Sequence, residues 1–132
     1  MPMFETQEDR DGEEAIMHML FPKAKKMSMS YRFDFFVDEP PCVYEVKSRK
    51  KKFDTWFVSL NKVMVAMNYE AVGLAAFFLV RFEDTGEIFR VRPATTDFEY
   101  HWGGNQTRGA TNDIEPLAVF NLSDMEPITA PH

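Results

Sequence analysis

Cysteine is almost missing from this chain: Cys42 is the single thiol among 132 residues. A lone cysteine cannot close an internal disulfide, so a reducing compartment, the cytoplasm, is the expected setting. Long apolar runs are missing too. Nothing approaches the ~20 residues that span a bilayer, and no membrane role is expected. Residues 1–10 are acidic and hold no apolar core, so they are not expected to direct secretion. His18, His101 and His132 stand in no zinc-site spacing, and no glycine-rich phosphate loop occurs; Gly103-Gly104 reads as a turn. A positive balance is also lacking. At a net charge of −6 the chain is not suited to coat nucleic acid.

What is present suits one domain over residues 1–132, with a core at about 5–120 and a loose tail. A chain of this length can bury about two-thirds of its unfolded surface. The 45% hydrophobic and 27% charged fractions are those of a globular protein, and 13 Phe residues predict a core filled by aromatic rings. Charge is uneven. Nine Lys or Arg lie between Lys23 and Lys52, whereas Asp and Glu dominate the first fifteen residues and the stretch after Arg81. Local contact with a polyanion is therefore not excluded.

The pattern predicts a helix over 5–21, with Ile16, Met19 and Leu20 apolar at helical spacing, Thr6 at its start and Pro22 at its end. An aromatic strand over 31–37, a turn at 38–41 and an alternating strand over 42–47 suggest an antiparallel hairpin. A basic loop at 48–52 leads to a helix over 55–70, capped by Asp54 or Thr55, with Phe57, Leu60, Val63, Met64 and Met67 as its stripe. A buried strand over 74–82 then pairs with 87–92 around Asp84-Thr85-Gly86. The path of 93–114 is undetermined, 117–120 reads as a short strand, and the tail after Asp124 as loose. The order helix-strand-strand-helix-strand-strand predicts an α/β fold, a mixed sheet flanked by helices.

Chemistry concentrates in Phe33-Asp34 and Tyr44-Glu45-Val46-Lys47. Glu45 and Lys47 are two apart on a strand and face the same way. Asp34, on the neighbouring strand, can meet them across the hairpin. Two carboxylates offer hard oxygen ligands to Mg²⁺ or Mn²⁺, and the Val46 carbonyl can add a third. Lys47 beside them can orient or help deprotonate a water. Phosphodiester hydrolysis needs such parts: a cation, an activated water and positive charge at the developing oxyanion. On its own, Glu-x-Lys on a strand is commonly just a solvated pair.

With its surroundings, the segment resembles the PD-(D/E)XK nuclease superfamily, and more closely small phage-encoded nuclease-like proteins. The likeness runs over about 8–120: Asp9-Arg10 and Glu13, then Phe33-Asp34, then Glu45-Val46-Lys47-Ser48-Arg49, then 56–62, Val80-Arg81-Phe82, Asp84-Thr85-Gly86, Arg108-Gly109 and Asp113-Ile114-Glu115-Pro116. Phe33, not proline, precedes Asp34. The resemblance implies a restriction-endonuclease-like core and a metal-dependent nuclease with Glu13, Asp34, Glu45 and Lys47 as catalytic residues. Glu13 is favoured over Glu14 by the resemblance and by its register with Ile16 and Leu20. DNA is favoured over RNA, with a structured or branched form as one candidate substrate. The setting would be host cytoplasm for a phage protein. Oligomeric state stays open, with a homodimer as a candidate because duplex cutters often pair to reach both strands.

Arg49, Lys50, Lys51 and Lys52 follow the Glu-x-Lys strand directly, which places backbone contacts to nucleic acid beside the metal; such a run is otherwise a solvated loop. Lys62, on the following helix, is a further phosphate candidate. Trp56 and Phe57 could stack on bases, although core packing is the commoner fate of such rings. Cys42 reads as a buried structural thiol. The rival reading is an inactive nuclease fold that binds nucleic acid or a host protein.

Overall fold

Strand β3 (Pro41–Arg49) is the axis of the fold: its residues 42–46 are all buried, which requires a layer on each of its faces. The computed structural model describes residues 7–27, 33–38, 40–103 and 115–129. Helix α1 (Gln7–Leu20) is followed by β1 (Lys25–Lys26), β2 (Phe35–Asp38) and β3. Strand β4 (Thr55–Ser59) runs into helix α2 (Leu60–Ala71), and β5 (Ala75–Phe82) and β6 (Ile88–Val91) follow. Strands β7 (Glu99–Gly103), β8 (Glu115–Asn121) and β9 (Glu126–Ile128) complete the order, with single 3₁₀ turns at Pro93–Thr95 and Leu122–Asp124.

Two sheets form. The larger has the order β1-β2-β3-β5-β6-β9, and the smaller β4-β8-β7. Strands β2 and β3 make the expected antiparallel hairpin, while β3 and β5 are parallel, with Glu45 opposite Phe78 and Arg49 opposite Phe82. A parallel pair needs a long crossover, and β4 with α2 supplies it. The result is a mixed sheet with helices packed on it, the expected α/β fold.

Side chains alternate across β3 and sort into two cores. Tyr44, Val46, Phe35 and Leu79 meet Ile16 and Met17 of α1. Val43, Phe78, Val80 and Phe82 face the other way, against Val63 and Ala66 of α2 and Trp56, Ala118 and Phe120 of the small sheet. Aromatic packing is as extensive as the 13 Phe residues imply: Trp56 lies against Phe78 and Phe120, and Tyr44 stacks on Phe77.

Several local expectations are corrected. Residues 55–59, expected to begin a helix, form β4; Trp56 and Val58 are buried while Phe57 is exposed, the period of a strand. The helix starts only after Ser59, whose hydroxyl accepts from the Asn61 N–H at 3.2 Å. In α1 the buried stripe is Glu13, Ile16 and Met17, and Met19 points outward. Strand β3 extends to Arg49, into the expected loop. The tail after Asp124 is tied down, because β9 adds to the edge of the large sheet beside β6. Gly73 and Gly86 take φ of 91° and 73°, the left-handed turns that end α2 and link β5 to β6. Thr6, Tyr31, Arg32, Arg108-Gly109 and Asp113-Ile114 lie outside the described residues.

Candidate active site

The β2–β3 ladder ends at the pair Phe35–Tyr44, and the chain before it turns aside. Asp34 sits at that end. Its backbone N–H still donates to the Tyr44 carbonyl (3.0 Å), but its side chain takes over the next rung: Oδ2 accepts from the Val46 N–H at 2.9 Å. A strand residue sends its N–H and C=O to the same edge, so the Val46 carbonyl is turned to the Asp34 side as well. Asp34 and the Glu45-Val46-Lys47 strand are thus locked in register by hydrogen bonds.

Glu45 points to the α2 side of the sheet and is 3% exposed. Removing a carboxylate from water this far is costly unless it is neutralised. Its pKa is accordingly pushed up to about 7, first by burial and then by the nearby Asp34 charge, against the opposing pull of Lys62 and Lys47. Lys62 Nζ comes within 3.1 Å of Glu45 Oε2. That ammonium is a close partner of the buried carboxylate and offsets part of the cost of its burial.

Asp34, Glu45, Lys47 and Lys62 therefore share one electrostatic site, built by β3, the segment before β2, and α2. Glu13 is buried too, on the stripe by which α1 packs over the sheet. Glu14 is half-exposed and lies 3.8 Å from Lys26. The basic run divides. Arg49, Lys50 and Lys51 line one cavity. Lys52 instead bonds Glu87 at 2.9 Å through its ammonium, while its backbone N–H donates to Asp84. The ion pair from Lys62 to Glu45 had no signal in sequence, because it needs the β4–α2 boundary to be placed correctly.

A divalent cation suits this donor set. Two carboxylates lie close together, one of them buried and still raised in pKa despite the Lys62 ammonium beside it, and added positive charge would ease that pair. Among the described residues no group of three His, Cys, Asp or Glu forms a protein cage. Mg²⁺ does not need one, since it is commonly held by one or two carboxylates with water and phosphate completing its shell.

No helix among the described residues is long and apolar enough to cross a membrane. A comparison with curated proteins finds no match. The sequence does match, over residues 1–128, the family described as "Phage putative PDDEXK endonuclease". That span covers nearly the whole chain and includes Glu13, Asp34, Glu45 and Lys47, and on this ground the chain belongs to the phage PDDEXK endonuclease family.

Proposed function

We propose that this chain is a divalent-metal-dependent nuclease that hydrolyses phosphodiester bonds in DNA. The observation that supports it most is the pairing of Asp34 with a buried, incompletely neutralised Glu45, with Lys47 on the same strand face. Asp34 and Glu45, with the Val46 carbonyl, would hold Mg²⁺ or Mn²⁺. When bound, the ion would polarise the phosphate and lower the pKa of a water.

The chain's own groups have distinct tasks. Asp34 is fixed by its bond from the Val46 N–H, so one carboxylate oxygen is held in place. Lys47 faces the same side as Glu45 and would orient the attacking water and offset charge on the phosphoryl oxygens. Water adds to phosphorus and gives up a proton to solvent, the ester P–O bond breaks, and the leaving oxygen takes up a proton from solvent, so no net proton is made or lost in the exchange. Glu13 would be a further carboxylate of the site, contributed by α1, although that helix packs on the Tyr44 and Val46 face of the sheet and not on the face that carries Glu45. Lys62 would hold Glu45 in place before the cation arrives and can turn to phosphate afterwards.

The test is direct. Purified protein is incubated with labelled single-stranded, duplex and branched DNA, and with RNA, in Mg²⁺, Mn²⁺ or EDTA. Cleavage that needs the metal and is lost in Asp34→Ala is the expected result. No cleavage of any substrate would favour a fold that only binds.

A further inference from the structure

A cavity of about 440 Å³ opens beside the candidate site, at the carboxyl ends of β3 and β5. Its wall is almost wholly apolar and includes Phe53, Trp56 and Phe57. Arg49, Lys50 and Lys51 supply its charged residues. Phe53 and Phe57 are 66% and 52% exposed, unusual for phenylalanine rings that share one cavity. Trp56 is the reverse: its ring is buried, and its indole N–H has no hydrogen-bond partner among the described residues.

The cavity and the carboxylates lie on the same side of the large sheet. Glu45, Lys47 and Arg49 alternate along one face of β3, and Arg49 stands opposite Phe82, another wall residue. Four residues of strand carry the chain about 13 Å, so the cavity is a few nucleotides at most from Glu45. Charge identifies the occupant. Three cations gather here in a chain of net charge −6, which selects a polyanion, and the exposed rings select flat apolar groups. Nucleic acid combines both. Paired bases are stacked and hide their faces, so only an unpaired base can place its face on Phe53 or Phe57.

We propose that this cavity seats the base of an unpaired nucleotide, and that the substrate is therefore single-stranded or branched DNA in preference to blunt duplex. Its placement next to a cleavage site rests on the nuclease reading; its binding role does not. Phe53 and Phe57 stack on the base, while Lys50 and Lys51 hold the flanking phosphates.

Binding is measured by fluorescence anisotropy in EDTA, where no cleavage occurs. The probes are a labelled single strand, an abasic strand of equal length and a blunt duplex. Wild type is expected to bind the normal strand roughly tenfold or more tightly than the other two, as stacking by a base or two provides. Phe53→Ala/Phe57→Ala should erase that preference. Both rings are exposed, so the fold should persist, and Phe53→Ala alone repeats the test at the more exposed ring. Lys50→Ala/Lys51→Ala should weaken all three probes alike. Equal affinity of wild type for normal and abasic strands, or a preference retained in the double Phe variant, overturns the proposal. If the stacking pattern holds but no metal gives cleavage, the cavity stands and the nuclease reading falls. If cleavage needs the metal but no Phe-dependent preference is seen, the nuclease reading stands and the cavity proposal falls.

Discussion

Lys62 of α2 reaches down to within 3.1 Å of Glu45 on β3, a carboxylate that is otherwise sealed from water. The ammonium-bearing side chain is itself one-third exposed. Lys62 thus places a side-chain cation on the carboxylate to which a metal ion would bind.

Removing that cation should leave Glu45 buried beside Asp34 with less compensation. Lys62→Met is expected to destabilise the metal-free protein at pH 8 by about 1–2 kcal/mol, below the usual cost of breaking a fully buried pair because Lys62 is partly solvated. Saturating Mn²⁺ should narrow the gap between variant and wild type, since the ion substitutes for the lost charge. Denaturant melts with and without Mn²⁺ check both statements. An unchanged gap would mean that the ion binds away from Glu45.

Glu45 also sets a pH window. Its folded pKa is raised to about 7, above the ordinary value of 4.5, so the folded state holds a proton that the unfolded chain releases. Between pH 4.5 and 7 the unfolded state binds fewer protons, and stability must fall as pH rises, by about 3 kcal/mol at most. Glu70 acts in another range. Its bonds from Arg92 lower its pKa, so its contribution is present above 4.5 and is lost only as pH falls below that. Glu45→Gln should flatten the upper window and make the metal-free protein more stable than wild type at pH 8. Urea melts across pH 4–9 in EDTA read this directly, and an identical upper slope in the variant would contradict it.

Catalysis and binding should separate along the basic segment. Lys47→Ala should slow cleavage by on the order of 100-fold while leaving affinity nearly unchanged. Lys50→Ala/Lys51→Ala should weaken binding and reduce its salt slope by about 0.9 per lost duplex contact, with the single-turnover rate at saturation near wild type. Lys52→Ala should do less to binding than either neighbour, because its ammonium is committed to Glu87. Single-turnover kinetics with parallel salt titrations measure all three; normal cleavage by Lys47→Ala would remove its assigned role.

Much of this arrangement was legible in the residues. Alternation placed Glu45 and Lys47 on one face, and the short 38–41 link brought Asp34 alongside them, so the core of the candidate site followed from two strands and a hairpin. The β4–α2 boundary did not follow. Trp56, Phe57 and Val58 fit a helical stripe as well as a strand, and only the pairing of β4 with β8, about sixty residues on, decides between them. The second sheet was invisible for the same reason, since long-range pairing leaves little trace in local pattern. Two prolines after Asp124 suggested a loose tail, yet β9 occupies a sheet edge, where Pro127 is tolerated. Register with Ile16 singled out Glu13 over Glu14, and Glu13 is buried on that face, while Met17 takes the place in the stripe expected for Met19.

The central claim is that Asp34 and Glu45 together hold a divalent ion, and calorimetric titration of Mn²⁺ tests it most directly. Burial raises the Glu45 pKa to about 7, so ion binding near neutral pH should expel a fraction of a proton, visible as a heat that varies with the buffer's ionisation enthalpy. Wild type should bind Mn²⁺ with that proton release, and Asp34→Ala and Glu45→Gln should each lose it. Equal Mn²⁺ binding in wild type and in Asp34→Ala, or binding with no proton released, would contradict the account.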